Sequence, residues 1–138
     1  MGAPMRALLD TNILVALMSA EEEDPDLDEV DESWVSSLTW TELLLGMHVT
    51  DKLGIYKERA SRLDHLQSAF GPGLPFDDEC VEMYGEILSR VDQRRGSPRA
   101  HRFDRMIAAT AMANDLVLVT RNAADFTMLD DLLDVVER

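Results

Sequence analysis

The stretch FDRMIAATAMANDLVLVTRNAADF, residues 103–126, decides the fold. Its first half is rich in alanine and sets Phe103, Ile107 and Ala111 four apart, the spacing of one helical face. Its second half holds Leu116–Thr120 (LVLVT), the strongest buried-strand signal in the chain. A helix feeding directly into a buried strand is the repeating unit of a parallel sheet covered by helices. Reading outward, the same alternation recurs. Ala7–Leu9 is a short apolar run, and Asp10-Thr11-Asn12 after it can cap a helix over Ile13–Met18. Trp34–Leu38 reads as a second strand, leading through Thr39-Trp40-Thr41-Glu42 into the helix Leu43–His48. Leu53, Tyr56, Ala60, Leu63, Leu66 and Phe70 mark an amphipathic helix that Gly71-Pro72-Gly73 ends. Leu74–Phe76 predicts a short strand, and Val81, Tyr84, Leu88 and Val91 predict one face of the next helix, closed by Gly96-Ser97-Pro98. Leu132–Val136 fits either an edge strand or a helical tail. The expected fold class is α/β with a parallel sheet, in one domain spanning 1–138.

Composition narrows the function classes. The 138 residues are 46% hydrophobic, enough for a core without staples, and the single cysteine, Cys80, allows no internal disulfide. Cys80 is read as a small buried hydrophobe. No apolar run approaches the roughly 20 residues that span a bilayer, and the amino terminus lacks the long apolar region of a signal peptide. A cytoplasmic protein without a membrane role is expected. The net charge of −14 argues at first against a nucleic-acid partner, but the charge is uneven. Nine acids and no base fall in residues 21–32, EEEDPDLDEVDE, whereas residues 90–105 carry six of the 13 Lys and Arg. Such a basic strip suits a phosphate-binding edge or, equally, a solvated helix end and loop.

The acids are placed usefully. Asp10 follows one apolar strand, while Asn122 and Asp125 follow another, and open parallel sheets bind ligands beyond the carboxyl ends of their strands. Glu42 and Asp104 are expected near the first turns of helices, where the macrodipole tolerates negative charge. Carboxylates gathered without thiol or histidine partners repel one another and call for a cation, and hard oxygen ligands favour magnesium or manganese over zinc. Such ions activate water and stabilise in-line attack on a phosphodiester. Arg99, Arg102 and Arg105 lie beside Asp104 and are expected to form a phosphate-holding rim. Each acid also has a structural alternative. Asp10 can be a helix cap, Thr39-x-x-Glu42 matches a capping box, Asp104 can be a dipole partner, and Asn122 and Asp125 are common turn residues. His48, His65 and His101 show no metal-ligand spacing and are read as surface or structural, with His101 a candidate for the basic rim.

Four segments taken together carry a resemblance: LLDTNILVAL at 8–17, LTWTELLLGM at 38–47, FDRMIAATAM at 103–112 and VTRNAADF at 119–126. In this order and at these intervals, they resemble a PIN-domain nuclease, most closely the VapC-type toxins of bacterial toxin–antitoxin pairs. The stretch PFDDECVEMYGEI at 75–87 is similar to the family's segment between the second and third acidic motifs. The resemblance implies a single PIN domain over 1–138, a three-layer α/β/α sandwich with a central, mostly parallel sheet. It also implies an endoribonuclease dependent on Mg2+ or Mn2+. It carries the metal-binding and catalytic acids to Asp10, Glu42 and Asp104, with Asp125 in the fourth position and Asn122 as its rival. Thr11 and Thr120 are expected to orient these groups. The implied partners are an RNA substrate and a small cognate antitoxin, within a homodimer and a toxin–antitoxin hetero-oligomer. A housekeeping PIN nuclease that processes RNA is the alternative enzyme; a degenerate PIN-like binding module is the non-enzyme reading. The acidic run at 21–32 is not expected from the family, and it is assigned here either to docking a basic antitoxin segment or to a solvated loop.

Overall fold

The computed structural model describes residues 2–138. Four short strands, β1 (Arg6–Leu9), β2 (Glu32–Val35), β3 (Val117–Thr120) and β4 (Val135–Glu137), form one sheet in the order β2-β1-β3-β4. All three pairings are parallel, with Leu8 opposite Trp34 on one side and Leu118 on the other. The C-terminal segment is therefore an edge strand rather than a helical tail. Five helices cover the sheet: α1 (Thr11–Met18), α2 (Ser37–His48), α3 (Leu53–Phe70), α4 (Asp78–Gln93) and α5 (Arg102–Ala113). A 3-10 helix, Ala123–Leu129, follows β3.

Strand alternation divides the core into two layers. Ala7, Leu9, Val35 and Val119 face α1, α2 and α3, packing with Ile13, Leu14, Leu43, Met47 and Leu63. Leu8 and Leu118 face the opposite way, onto Ile87 and Val91 of α4 and Ile107 and Ala111 of α5. The result is a three-layer α/β/α sandwich whose every strand is parallel, as the sequence led us to expect. Because β1 lies between β2 and β3, the chain begins in the middle of the sheet and winds outward both ways. The carboxyl ends of β1 and β3 thus border one crevice, the usual ligand position of such sheets.

Several local expectations need correction. The second strand is Glu32–Val35, not Trp34–Leu38; Ser36 caps α2 by accepting from Leu38 N–H at 3.0 Å. Thr39 and Glu42 consequently lie inside α2 and form no capping box, and Glu42 stands in the second turn instead of the first. Leu74–Phe76 makes only a single parallel bridge, Leu74 to Ser36, so no strand forms there. The buried face of α4 is Cys80, Ile87 and Val91, whereas Val81 is 54% exposed. Asp77 starts this helix by accepting from Cys80 N–H at 3.1 Å, and Cys80 faces inward in place of its neighbour. Cys80 is fully buried, as its small apolar character suggested. Leu53, at the first turn of α3, is exposed because the packed stripe begins only at Tyr56.

Candidate active site

Asp10 leaves β1 and enters α1 at the bottom of the crevice. Its Oδ1 accepts from Thr11 N–H at 2.8 Å, so it is indeed the cap of α1. Capping does not exhaust its role, because the residue is only 3% exposed and its other oxygen points inward. Oδ2 accepts from the Thr120 hydroxyl at 2.8 Å, across from the end of β3. The Thr120 oxygen in turn accepts from the Asn12 amide at 3.1 Å and from Asn122 N–H at 3.2 Å. Asn12 also accepts from Arg121 N–H at 3.1 Å, tying the start of α1 to the end of β3. Asn12 was legible in the sequence only as part of a cap; its strapping role depends on two distant strands meeting.

Glu42 reaches the crevice from α2. Its Oε1 accepts from the Thr11 hydroxyl at 2.8 Å, and Thr11 lies 3.0 Å from the hydroxyl of buried Thr39. Asp104 enters from the first turn of α5, half-buried, and Asp125 from the first turn of the 3-10 helix. Asn122 Nδ2 donates to Asp125 Oδ2 at 2.9 Å. The two rivals for the fourth position are thus hydrogen-bonded to each other, Asn122 acting as donor and Asp125 as acceptor. His101, expected at most on the rim, joins this half of the site. Ligand atoms of His101, Asp104 and Asp125 all lie within 4.8 Å of one another.

The carboxylates of the two halves repel one another. Burial pushes the Asp10 carboxyl up to about 6 against the pull of its hydrogen bonds, and the negative charges of Asp104 and Glu42 add to the rise. Burial likewise raises Glu42, opposed by the Thr11 hydrogen bond and reinforced by Asp104. Among the described residues, neither Asp10 nor Glu42 has a cationic side chain at ion-pair distance. A buried carboxylate beside other acids and without a counter-charge is an unfavourable arrangement unless a cation fills the gap. An all-oxygen set of this kind fits a hard divalent ion. Among the described residues, the ligand atoms of His101, Asp104 and Asp125 form one group of candidate ligands, and Asp10 and Glu42 do not join it.

The basic strip shrinks in three dimensions. Arg90 and Arg94 pair with Asp131, and Arg94 also with Asp130 at 2.8 Å, so both serve the C-terminal segment. Arg105, expected on the rim, is 5% exposed, and its guanidinium donates to the Ser97 carbonyl at 2.6 Å. It occupies the helix face opposite solvent and closes the 96–101 turn, so it is not available to phosphate. Arg99 and Arg102 remain exposed beside Asp104. On the other side, a groove of about 540 Å³ opens from Thr11 and Glu42 between α1, α2 and α3. Val15, Met18, Leu43, Met47 and Ile55 line it, with Arg59 and Arg62 at its border.

Comparison with known proteins places this arrangement in a wider setting. The chain is 27% identical over 128 residues to Ribonuclease VapC1 of Rickettsia felis, covering 93% of each protein. It is 26% identical to Ribonuclease VapC of Rickettsia bellii over the same share of both. Among solved structures, VapBC2 from Rickettsia felis bound to a promoter DNA fragment superposes with a TM-score of 0.78 at 25% identity. That match covers 97% of this chain and 99% of the other. FitAcB from Neisseria gonorrhoeae superposes with a TM-score of 0.79, also at 25% identity, over 95% and 96% of the two chains. The PIN domain family model matches residues 7–131, a span that takes in all four acidic positions and every strand and helix but β4. This chain belongs to the PIN domain family.

Proposed function

We propose that the protein is a metal-dependent endoribonuclease that hydrolyses RNA phosphodiester bonds and acts as the toxin of a toxin–antitoxin pair. One observation carries the chemistry: Asp10 is buried, without a cation, and electrostatically coupled to Glu42 and Asp104 in the crevice at the strand ends. The toxin role is supported by likeness to VapC ribonucleases, and to structures named as VapBC complexes, over nearly the whole chain. Those relatives favour a toxin over a housekeeping RNA-processing nuclease.

Asp10, Glu42, Asp104 and Asp125 would hold Mg2+ or Mn2+. A divalent ion in such a site supplies a lowered pKa for water and neutralises charge on the phosphodiester. Thr120 and Thr11 fix the rotamers of Asp10 and Glu42, and Asn122 fixes Asp125, so the oxygens are oriented before substrate arrives. Arg99 and Arg102 take phosphates flanking the scissile bond, offsetting the repulsion between an acidic protein and RNA. The apolar groove beside Glu42 suits an antitoxin segment, with the acidic crevice at its end open to a basic side chain. A homodimer that joins its antitoxin in a larger complex is the proposed assembly, and the cytoplasm its compartment. No helix among the described residues is long and apolar enough to cross a membrane.

The test is cleavage of structured RNA with Mg2+, with Mn2+ and with chelator, for the wild type and Asp104→Asn. Activity should require metal and should fall by at least about a hundredfold in the variant. Full activity in chelator, or in the variant, would remove the proposed mechanism. Expression alone should arrest growth, with rescue by a small antitoxin.

A further inference from the structure

We infer that His101 is a metal ligand, together with Asp104 and Asp125, so that the ion is held by one imidazole nitrogen as well as carboxylate oxygens. The inference rests on the metal-centre reading of the crevice and adds to it a donor of different chemistry.

The geometry comes from two elements. His101 immediately precedes α5, Asp104 lies in its first turn, and Asp125 arrives from the 3-10 helix after β3. Their ligand atoms lie within 4.8 Å of one another, close enough to surround one ion. The Nδ1 of His101 is 3.5 Å from Asp104 Oδ2, which is longer than an ordinary hydrogen bond of about 2.7–3.2 Å. Two donors each about 2.1 Å from an ion stand roughly 3.0–3.5 Å apart when they subtend 90–110° at it. The His101–Asp104 separation falls in that range, and so it suits two ligands of one ion better than a direct contact. His101 also stands where a helix cap would be, yet makes no side-chain capping bond, leaving its ring turned toward the acids.

The remaining members are prepared for the same task. Asn122 donates to one oxygen of Asp125 and leaves the other free, the arrangement of a ligand oriented from behind. Arg105, next to Asp104 in the chain, is turned inward and held by the Ser97 carbonyl. Asp104 is coupled to Asp10 and Glu42 on one side and adjoins His101 and Asp125 on the other. An imidazole in the ligand set shifts preference from Mg2+ toward first-row transition ions, modestly for Mn2+, because nitrogen binds these more strongly than it binds an alkaline-earth ion.

The experiment is pulsed electron paramagnetic resonance on the full-length protein loaded with Mn2+, which detects a directly bound imidazole nitrogen through its electron–nuclear coupling. The wild type should show coupling from one imidazole, and 15N-histidine labelling should convert its pattern without any substitution. His101→Asn keeps a residue type that tolerates the left-handed backbone found here, where φ is 52°. In that variant the nitrogen coupling should vanish and Mn2+ affinity should fall about tenfold or more, with a smaller change for Mg2+. Bound Mn2+ without imidazole coupling, or coupling that survives in His101→Asn, overturns the inference while leaving the metal centre intact. Absence of Mn2+ binding, or binding indifferent to Asp104→Asn, overturns both together.

Discussion

The hydroxyl of Thr120 donates to Oδ2 of Asp10 at 2.8 Å, joining the ends of two strands that lie 110 residues apart in the chain. That bond is the strongest brake on the rise of the Asp10 pKa that burial produces. Thr120→Val should therefore push the Asp10 carboxyl above about 6 and destabilise the fold by about 1–3 kcal/mol, since buried partners lose a hydrogen bond. Cleavage should fall roughly ten- to a hundredfold, as for loss of an orienting partner at a metal site. Thr120→Ser should restore both; a serine variant as impaired as valine would refute the hydrogen-bond account.

Asp10 also sets a pH dependence. Its folded pKa of about 6 lies above the ordinary 3.8, so the folded protein retains a proton that the unfolded chain has released. Stability from this group is full below about pH 4, declines as pH rises through about 6, and is then lost. The deficit above pH 7 is about 2–3 kcal/mol, from a shift of roughly two pH units. Asp10→Asn should recover most of it in chelator at pH 7.5, gain little at pH 4, and abolish cleavage. Urea denaturation at the two pH values measures this; an equal effect at both would show that the charge is not responsible.

The arginines of residues 99–105 should separate into two kinds. Arg105→Ala should cost about 1–3 kcal/mol of stability through the orphaned Ser97 carbonyl, with no specific effect on RNA affinity once the protein is folded. Arg99→Ala and Arg102→Ala should leave stability within about 0.5 kcal/mol. Each should lower the salt dependence of single-stranded RNA binding by about 0.7 in log–log slope. Binding titrations from 50 to 200 mM salt on inactive Asp104→Asn protein provide the comparison, and unchanged slopes would take both residues off the rim.

Gly73 offers a test of how α2 is held. A Cβ at this position would lie 2.6 Å from Ser37 N and 2.7 Å from Ser37 Cα, backbone atoms that cannot swing aside. Gly73→Ala should cost about 1–3 kcal/mol and displace the α2 start that carries Glu42. Reduced cleavage should accompany the lower melting temperature. A fully stable variant would mean that the 71–75 segment moves freely.

The acidic run is partly committed to the fold. Asp31 accepts from Met5 N–H at 2.7 Å, Glu29 pairs with Arg138 at 2.6 Å, Glu32 pairs with Arg6, and the Glu23 carbonyl accepts from Arg121. The side chains of Glu21, Glu22, Glu23, Asp24, Asp26 and Asp28 remain exposed. Replacing these six with Ser or Gln should weaken binding of a basic antitoxin segment, more strongly at low salt than at high. Unchanged affinity at low salt would leave them as a solvated loop.

Much of the architecture could be read from residues 103–126 and their counterparts, because hydrophobic periodicity is a local property. LVLVT is a strand for the same reason in any context that buries both its faces, and the Ala-rich segment before it is a helix by spacing. The failures were equally physical. Ser36 and Thr39 both offer helix-starting chemistry, and the pairing of Val35 with Leu9, which ends β2 at Val35, makes Ser36 the cap. Val81 and Cys80 are neighbours of similar apolar character, and the packing of Ile87 and Val91 against the core sets which of them faces inward. Arg105 looks like any other arginine of a basic strip until the turn at Ser97 folds back onto it.

For the site, sequence determined which acids were present, that Asp10 and Asp125 would follow strands, and, through four ordered motifs, the family to which they belong. Tertiary structure decided the rest. It set Thr120 on Asp10 and Thr11 on Glu42, and brought Asp125 beside His101 and Asp104. Motif spacing constrains where a residue lies along the chain. Burial, counter-charge and hydrogen-bond direction depend also on segments distant in the chain, and these turn four unremarkable carboxylates into a candidate metal centre.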